Sequence, residues 1–170
     1  MGIHRLNHAV LFVRDVSTSV AFYTEVLGFR VVSTAGSQAA FLQAPDSTND
    51  HDLGLFEIGP AAEPSDAGRG AVGLYHLAWE LGTLDELAEH ADRLSAAGAL
   101  VGSSDHGTTK SLYGRDPDGL EFELAWIVPA DRLDPDTIGA GPTVRRLDLD
   151  AERRRYGGST RSGVGISVPA

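Results

Sequence analysis

The sequence repeats one succession of elements, and this repeat constrains the fold more than any other feature. In residues 4–58, the predicted strand LNHAVLFV precedes a helix and three further strands. In residues 73–128, the predicted strand LYHLAWEL opens a second succession of the same order. Each opening strand carries a histidine at its third position, His8 and His76. A duplicated β-α-β-β-β module predicts an α+β fold made of two paired modules.

Helix ends are marked in both modules by capping residues and glycines. The first helix is predicted to begin at Asp15 or Ser17 and to end at Gly28. The second begins with TLDE (83–86), in which threonine and glutamate have the spacing of a capping box, and ends at Gly98. These local signals agree with the repeat and support the same division of the chain.

The absence of cysteine restricts the chemistry of any site. It excludes disulfides, thiolate-bound zinc, iron–sulfur clusters and a cysteine nucleophile. A metal must then bind imidazole nitrogen and carboxylate oxygen. If the modules pack face to face, His8, His76 and Glu123 can form a two-histidine, one-carboxylate site, which suits Fe(II) or Mn(II) with open positions. The alternative is that each histidine is an ordinary hydrogen-bonded core residue.

The charge is strongly negative and unevenly distributed. A net charge of −10 without a Lys/Arg stripe disfavours binding to nucleic acid or an anionic membrane. Residues 139–170, however, hold six arginines and three acidic residues. We therefore separate an Arg-rich C-terminal extension, residues 129–170, which either lies on an acidic body, its own or a partner's, or is solvated. Neither a signal peptide nor an apolar membrane span is recognisable, which predicts a cytoplasmic protein.

The repeat and two motifs resemble the vicinal oxygen chelate superfamily, which includes glyoxalase I, fosfomycin and bleomycin resistance proteins, and extradiol dioxygenases. The motifs are the opening LNHAVLFVRD and the ending LEFEL, and the resemblance covers roughly residues 4–128. Residues 105–124, DHGTTKSLYGRDPDGLEFEL, are most similar to type I extradiol dioxygenases such as catechol 2,3-dioxygenases. In those enzymes a His-Gly pair, a tyrosine and a DP-x-G turn precede the ligand glutamate. The resemblance implies one domain with a curved mixed sheet around a metal cleft.

The resemblance also implies a site and a reaction. It assigns six side chains: the iron ligands His8, His76 and Glu123, and the catalytic residues His51, His106 and Tyr113. In that reaction a catecholic ring is cleaved with O2 at Fe(II). His51 would exchange a proton with the substrate, and the other two catalytic residues would hydrogen-bond the catecholate. The resemblance further implies a role in aromatic catabolism and a homodimer.

Two alternatives remain open within the same fold. A glyoxalase-like lyase or isomerase needs a fourth protein ligand, for which Glu57 is the candidate, and would favour Ni(II), Zn(II) or Co(II). A drug-sequestering protein of the bleomycin-resistance kind would bind its ligand without metal. The complete His/His/Glu set counts against the second alternative.

Overall fold

Both modules are present in the structure. The computed structural model describes residues 2–139 and 143–163, and the chain divides into two compact units. Unit 1 comprises Met1–Ser65 with Asp116–Gly119, and unit 2 comprises Asp66–Arg115 with Leu120–Ala170. Apart from the 116–119 turn, each unit contains one β-α-β-β-β module built on a four-stranded mixed sheet. The α+β fold and the duplication are therefore confirmed.

The module of unit 1 has the sheet order β1-β4-β3-β2. Its elements are β1 (Ala9–Val13), α1 (Val16–Glu25), β2 (Arg30–Ala35), β3 (Ala39–Gln43) and β4 (Leu53–Glu57). Strands β1 and β4 are parallel, and the other neighbours are antiparallel. Leu42, Leu53 and Leu55 are fully buried, as is nearly all of Tyr23 on α1. This apolar layer fixes the sheet under the helix.

The module of unit 2 repeats this arrangement with the sheet order β5-β8-β7-β6. Its elements are β5 (His76–Glu80), α2 (Leu84–Ala96), β6 (Leu100–Asp105), β7 (Thr109–Arg115) and β8 (Glu121–Ile127). Again the first and last strands, β5 and β8, are parallel. Leu84, Leu87 and Leu94 form the fully buried stripe of α2.

The predicted helix starts are confirmed, whereas the opening strands are shorter than predicted. Asp15 caps α1 by accepting a hydrogen bond from the Thr18 N–H at 2.6 Å, and the Ser17 hydroxyl donates to Asp15. Strand β1 begins at Ala9, because its parallel partner β4 begins at Leu53, the residue paired with Ala9. The two histidines of the repeat therefore lie just before β1 and at the first residue of β5.

The capping box of α2 provides a stability prediction. The Glu86 N–H donates to Thr83 Oγ1 at 3.2 Å, and the Thr83 N–H donates to Glu86 Oε2 at 3.1 Å. Thr83→Ala is expected to lower the free energy of unfolding by about 1 kcal/mol in urea denaturation. The control, Glu89→Ala at an exposed position of the same helix, should change it by less than about 0.5 kcal/mol. Equal effects of the two substitutions would contradict the contribution of the cap.

The C-terminal extension packs on its own module. It contains a 3₁₀ turn (Ala130–Arg132), α3 (Pro135–Gly139) and α4 (Leu149–Tyr156). The indole N–H of the fully buried Trp126 donates to the Thr160 carbonyl at 3.0 Å. Arg153 of α4 forms an ion pair with Asp85 of α2 at 2.6 Å. The sequence left open whether the extension lies on an acidic body or is solvated. Its described part lies on its own body, and residues 140–142 and 164–170 lie outside the described residues.

A membrane-spanning helix would need both length and apolar composition. Within residues 2–139 and 143–163, no helix has both.

Candidate active site

A histidine and a glutamate predicted as metal ligands lie side by side in unit 2. His76 opens β5, and Glu123 lies on the parallel neighbour β8, opposite Ala78. His76 Nε2 is 3.1 Å from Glu123 Oε2, and the two side chains are 24% and 13% exposed. Adjacent ligand atoms around an octahedral ion with metal–ligand distances of about 2.1 Å are separated by about 3 Å. The pair therefore has the spacing of two neighbouring ligands.

The two nitrogens of the His76 ring have different surroundings. Nδ1 is buried without a hydrogen-bond partner among the described residues, whereas Nε2 lies beside the Glu123 carboxylate. Nε2 is therefore the candidate ligand atom. An imidazole beside a carboxylate is a donor set that suits Fe(II), Mn(II), Ni(II) or Zn(II). Unit 2 thus supplies two neighbouring donors of the kind that a divalent metal takes.

His106 and Tyr113 form a hydrogen-bonded pair in the same unit. His106 lies in the turn between β6 and β7, and its Nδ1 is 2.8 Å from the Thr143 carbonyl oxygen. Its Nε2 is 2.8 Å from the hydroxyl of Tyr113 on β7. Tyr113 is also the register partner of Glu123, and its ring centroid is 6.0 Å from that of His76. Unit 2 therefore brings four of the six predicted site residues together.

The Tyr113 hydroxyl keeps its proton at neutral pH. Burial raises the pKa of Tyr113, and the negative charge of Glu123 raises it further. A protonated phenol can donate its hydrogen and still accept through its oxygen. Which of these two capacities faces a ligand depends on the state of His106.

The other two predicted residues, His8 and His51, are in contact in unit 1. Their ring centroids are 4.4 Å apart, and the His51 ring is also 5.2 Å from that of Phe41. His8 Nδ1 lies 2.7 Å from Asn7 Oδ1, an acceptor, so that Nδ1 donates and Nε2 is the nitrogen left for a ligand. His51 Nδ1 lies 3.2 Å from Asp50 Oδ2. Unit 1 thus places the predicted third ligand beside the predicted acid–base histidine.

Glu57, the candidate fourth ligand of a lyase, has a structural role in unit 1. Its carboxylate Oε2 accepts a hydrogen bond from the Val16 N–H at 3.1 Å. Val16 is the first residue of α1, so Glu57 satisfies a helix N-terminus from the end of β4. In the described part of the chain as a whole, no three His, Asp or Glu side chains are grouped closely enough to hold an ion.

The sequence-based analysis missed a buried ion cluster near His106. Lys110 on β7 is 1% exposed and forms ion pairs with Asp105 and, at 3.1 Å, with Glu152 of α4. Burial opposes ionisation of Asp105, but hydrogen bonds from Lys110 and Gly107 and the charges of Lys110 and Arg145 outweigh it, so that the pKa of Asp105 is lowered. Alternation of side chains in TKSLYGR carries no signal for this cluster, since its third member comes from the extension.

The family model for the Glyoxalase/Bleomycin resistance protein/Dioxygenase superfamily matches residues 5–124, which include both modules. The chain belongs to this superfamily. The resemblance predicted from the sequence is thereby confirmed. The match ends at residue 124, before the C-terminal extension.

Individual relatives include different activities. Catechol-2,3-dioxygenase of Bacillus subtilis (strain 168) is 32% identical over 119 residues, which are 70% of this chain and 40% of that protein. A probable lactoylglutathione lyase of Vibrio cholerae is 30% identical over 136 residues, 73% of this chain and 91% of that protein. The crystal structure of a glyoxylase/bleomycin resistance protein/dioxygenase domain from Frankia sp. EAN1pec superimposes with a TM-score of 0.63 at 23% identity, covering 75% of this chain and 94% of that one. This chain spans less than half of the dioxygenase.

Proposed function

We propose that the protein is an extradiol-type dioxygenase that cleaves a catecholic ring with O2 at an Fe(II) site formed by His8, His76 and Glu123. The observation that carries the proposal is the His76–Glu123 pair, 3.1 Å apart and half-buried, with the Tyr113 ring beside it. The similarity to catechol-2,3-dioxygenase of Bacillus subtilis supports the substrate class.

Each proposed ligand has a donor atom available for a metal. Glu123 supplies the negative charge, His76 offers Nε2 on the side of Glu123, and His8 of unit 1 has its Nδ1 occupied by Asn7 and Nε2 left. Held by these three side chains, Fe(II) would supply the binding of a catechol and dioxygen together. Mn(II) suits the same ligands.

The remaining residues of the chain orient the substrate and move protons. We assign to His51 the acceptance of a proton from the catechol hydroxyl and its later return, which a neutral imidazole can perform near pH 7. Its neighbours Asp50 and Phe41 restrain the ring in one orientation. Tyr113 holds the oxygen of the bound ring by hydrogen bonding, and His106 orients the Tyr113 hydroxyl, since its two ring nitrogens are engaged by Thr143 and Tyr113.

The lyase alternative is less well supported by the same geometry. It requires a fourth protein ligand, and one carboxylate oxygen of the candidate, Glu57, is engaged at the N-terminus of α1. With three ligands, more coordination positions stay open for two small reactants. The similarity to a probable lactoylglutathione lyase makes that activity the proper comparison in the test.

The proposal is tested by loading the protein anaerobically with Fe(II) and adding air and a panel of catechols. We expect visible absorbance of ring-fission products and matching oxygen uptake. His51→Ala should retain iron by metal analysis and lose about 10²–10⁴-fold in kcat, the usual contribution of a general acid–base. His90→Ala, on the exposed face of α2, is the matched histidine control and should keep full activity.

Two outcomes would overturn the proposal or part of it. If the iron form leaves all catechols intact while a Ni(II) or Zn(II) form isomerises a hemithioacetal, the lyase alternative replaces it. If His51→Ala turns over as fast as the unmodified protein, His51 has no acid–base role.

A further inference from the structure

The C-terminal extension reaches the His106–Tyr113 pair directly. Asp105 and Arg145 form an isolated antiparallel bridge, in which each backbone N–H donates to the other residue's carbonyl at 2.9 Å. This bridge brings the extension alongside the end of β6. It places the Thr143 carbonyl oxygen 2.8 Å from His106 Nδ1. A backbone group of the extension is therefore a hydrogen-bond partner of a proposed active-site residue.

The Thr143 carbonyl determines which His106 nitrogen carries the proton. A carbonyl oxygen only accepts hydrogen bonds, so Nδ1 must be protonated. In the neutral ring Nε2 is then an acceptor, and it lies 2.8 Å from the Tyr113 hydroxyl. The Tyr113 hydroxyl consequently donates a hydrogen bond to His106. Its oxygen lone pairs remain for a ligand.

The extension also holds the backbone of the turn that carries His106. Glu152 of α4 pairs with the buried Lys110, which pairs in turn with Asp105. Asp105 Oδ1 accepts a second hydrogen bond from the Gly107 N–H at 2.8 Å. The contacts thus run from α4 through the buried Lys110 and the partly buried Asp105 to the residue after His106.

Gly107 shows how closely the extension packs against this turn. Its φ of +80° is unfavourable for residues with a side chain, and a β-carbon there would lie 3.1 Å from Thr137 Cγ2 and 3.4 Å from Thr143 Oγ1. Both atoms belong to the extension. A side chain at position 107 would therefore press on the segment that supplies the carbonyl.

We propose that the C-terminal extension is a positioning element that keeps His106 in its Nδ1–H tautomer, so that Tyr113 presents a hydrogen-bond acceptor to the ligand. The ligand group beside Tyr113 should accordingly be a neutral hydroxyl and not an oxyanion. The tautomer follows from unit 2 alone, whereas the identity of the ligand as a catechol rests on the proposed function.

The tautomer is tested on metal-free, ¹⁵N-labelled protein by two-dimensional NMR of the histidine ring nitrogens. We expect His106 to show a protonated Nδ1 and an unprotonated Nε2. In Tyr113→Phe this pattern should persist, because the carbonyl and not the phenol determines it. A protonated Nε2 in the unmodified protein, or a switch of tautomer in Tyr113→Phe, would overturn the inference.

Two pairs of variants test the part played by the extension. Gly107→Ala should move His106 towards the Nε2–H tautomer, whereas Gly98→Ala, which has a similar positive φ of +65° and open space around the new methyl group, should not. Glu152→Gln should act in the same direction as Gly107→Ala, whereas Asp150→Asn at an exposed position of α4 should not. An unchanged tautomer in both Gly107→Ala and Glu152→Gln would contradict the proposal.

The acceptor role is tested by ligand binding to anaerobic Fe(II)-loaded protein. At one oxygen, catechol carries a hydrogen where 2-methoxyphenol carries a methyl group. The dissociation constant of 2-methoxyphenol divided by that of catechol therefore reports a hydrogen bond donated by the ligand. In Tyr113→Phe we expect this ratio to fall about three- to tenfold, the value of one hydrogen bond. An unchanged ratio would mean that Tyr113 accepts nothing from the ligand.

The two proposals fail separately. Protein that binds catechols with the expected ratio and does not cleave them disproves the dioxygenase while the tautomer stands. Protein that cleaves catechols but has a protonated His106 Nε2 disproves the positioning role alone. If neither compound binds, the NMR result decides the tautomer.

Discussion

Glu123→Ala is expected to weaken Fe(II) binding by about 100-fold or more, since even residues that only orient metal ligands contribute 10- to 100-fold. Glu123 is the one anion among the three proposed ligands. Without it, two neutral imidazoles would have to hold a dication. Catechol cleavage should be lost together with the metal. Anaerobic competition with a chelator of known affinity measures the change.

The matched control for this prediction is Glu121→Ala. Glu121 lies two residues earlier on β8, on the same face, and is bonded to Arg115 at 2.7 Å. Its removal should leave iron affinity within about twofold, whereas His76→Ala should resemble Glu123→Ala. Equal affinity in the two glutamate variants would remove Glu123 from the ligand set. Thermal unfolding of each metal-free variant shows whether the fold is retained.

Lys110→Met is expected to lower the free energy of unfolding by about 3–5 kcal/mol, the usual cost of breaking a buried ion pair. Lys110 is 1% exposed; its ammonium group donates to Asp105 and lies 3.1 Å from the Glu152 carboxylate. Methionine matches the length of the lysine stem but leaves the Asp105 and Glu152 carboxylates without the Lys110 ammonium between them. The loss should be visible as a lower urea midpoint.

A compensating variant distinguishes charge from packing. Adding Asp105→Asn and Glu152→Gln to Lys110→Met removes the unpaired charges and should restore most of the stability. Arg154→Met, which removes an exposed cation from α4, should cost less than about 0.5 kcal/mol. A triple variant as unstable as the single one would show that the ammonium group acts through packing.

The same cluster gives the sign of a pH effect. The folded-state pKa of Asp105 is lowered, so its contribution is present above the usual carboxyl value of about 3.9 and is lost as the pH falls through the lower folded value. The difference in stability between the unmodified protein and Lys110→Met should therefore shrink at acid pH. A stability difference that is constant from neutral to acid pH would show that the ionised Asp105 carboxylate is not its source.

Features that depend on neighbours in sequence were predictable. Asp15 and Thr83 cap their helices as predicted, because a cap binds the N–H of a residue three positions on. The first strand was predicted too long, since its start depends on where β4 begins to pair. The role of Glu57 as a partner of α1 was likewise hidden, because 41 residues separate it from Val16.

The candidate site also has features that the sequence predicted and features that depend on tertiary contacts. The repeat pointed to His8 and His76, and strand alternation pointed to Glu123. The register of β5 against β8 determines that His76 and Glu123 meet at 3.1 Å. That register depends on the packing of both faces of the sheet, which no window of the sequence contains.

The sequence by itself determined the duplicated α+β module and the residue types available to a metal, because periodicity, caps and the absence of cysteine are local or compositional properties. The superfamily was indicated by the resemblance of the repeat and of the motifs LNHAVLFVRD and LEFEL. Only the tertiary structure decided where the C-terminal extension lies. Its composition was compatible with a solvated segment. Yet Thr143 reaches His106 across 37 residues, and the Glu152 carboxylate lies 3.1 Å from the buried Lys110 ammonium. A carbonyl oxygen has no sequence signature, and a buried charge is recognisable only with its partners in place.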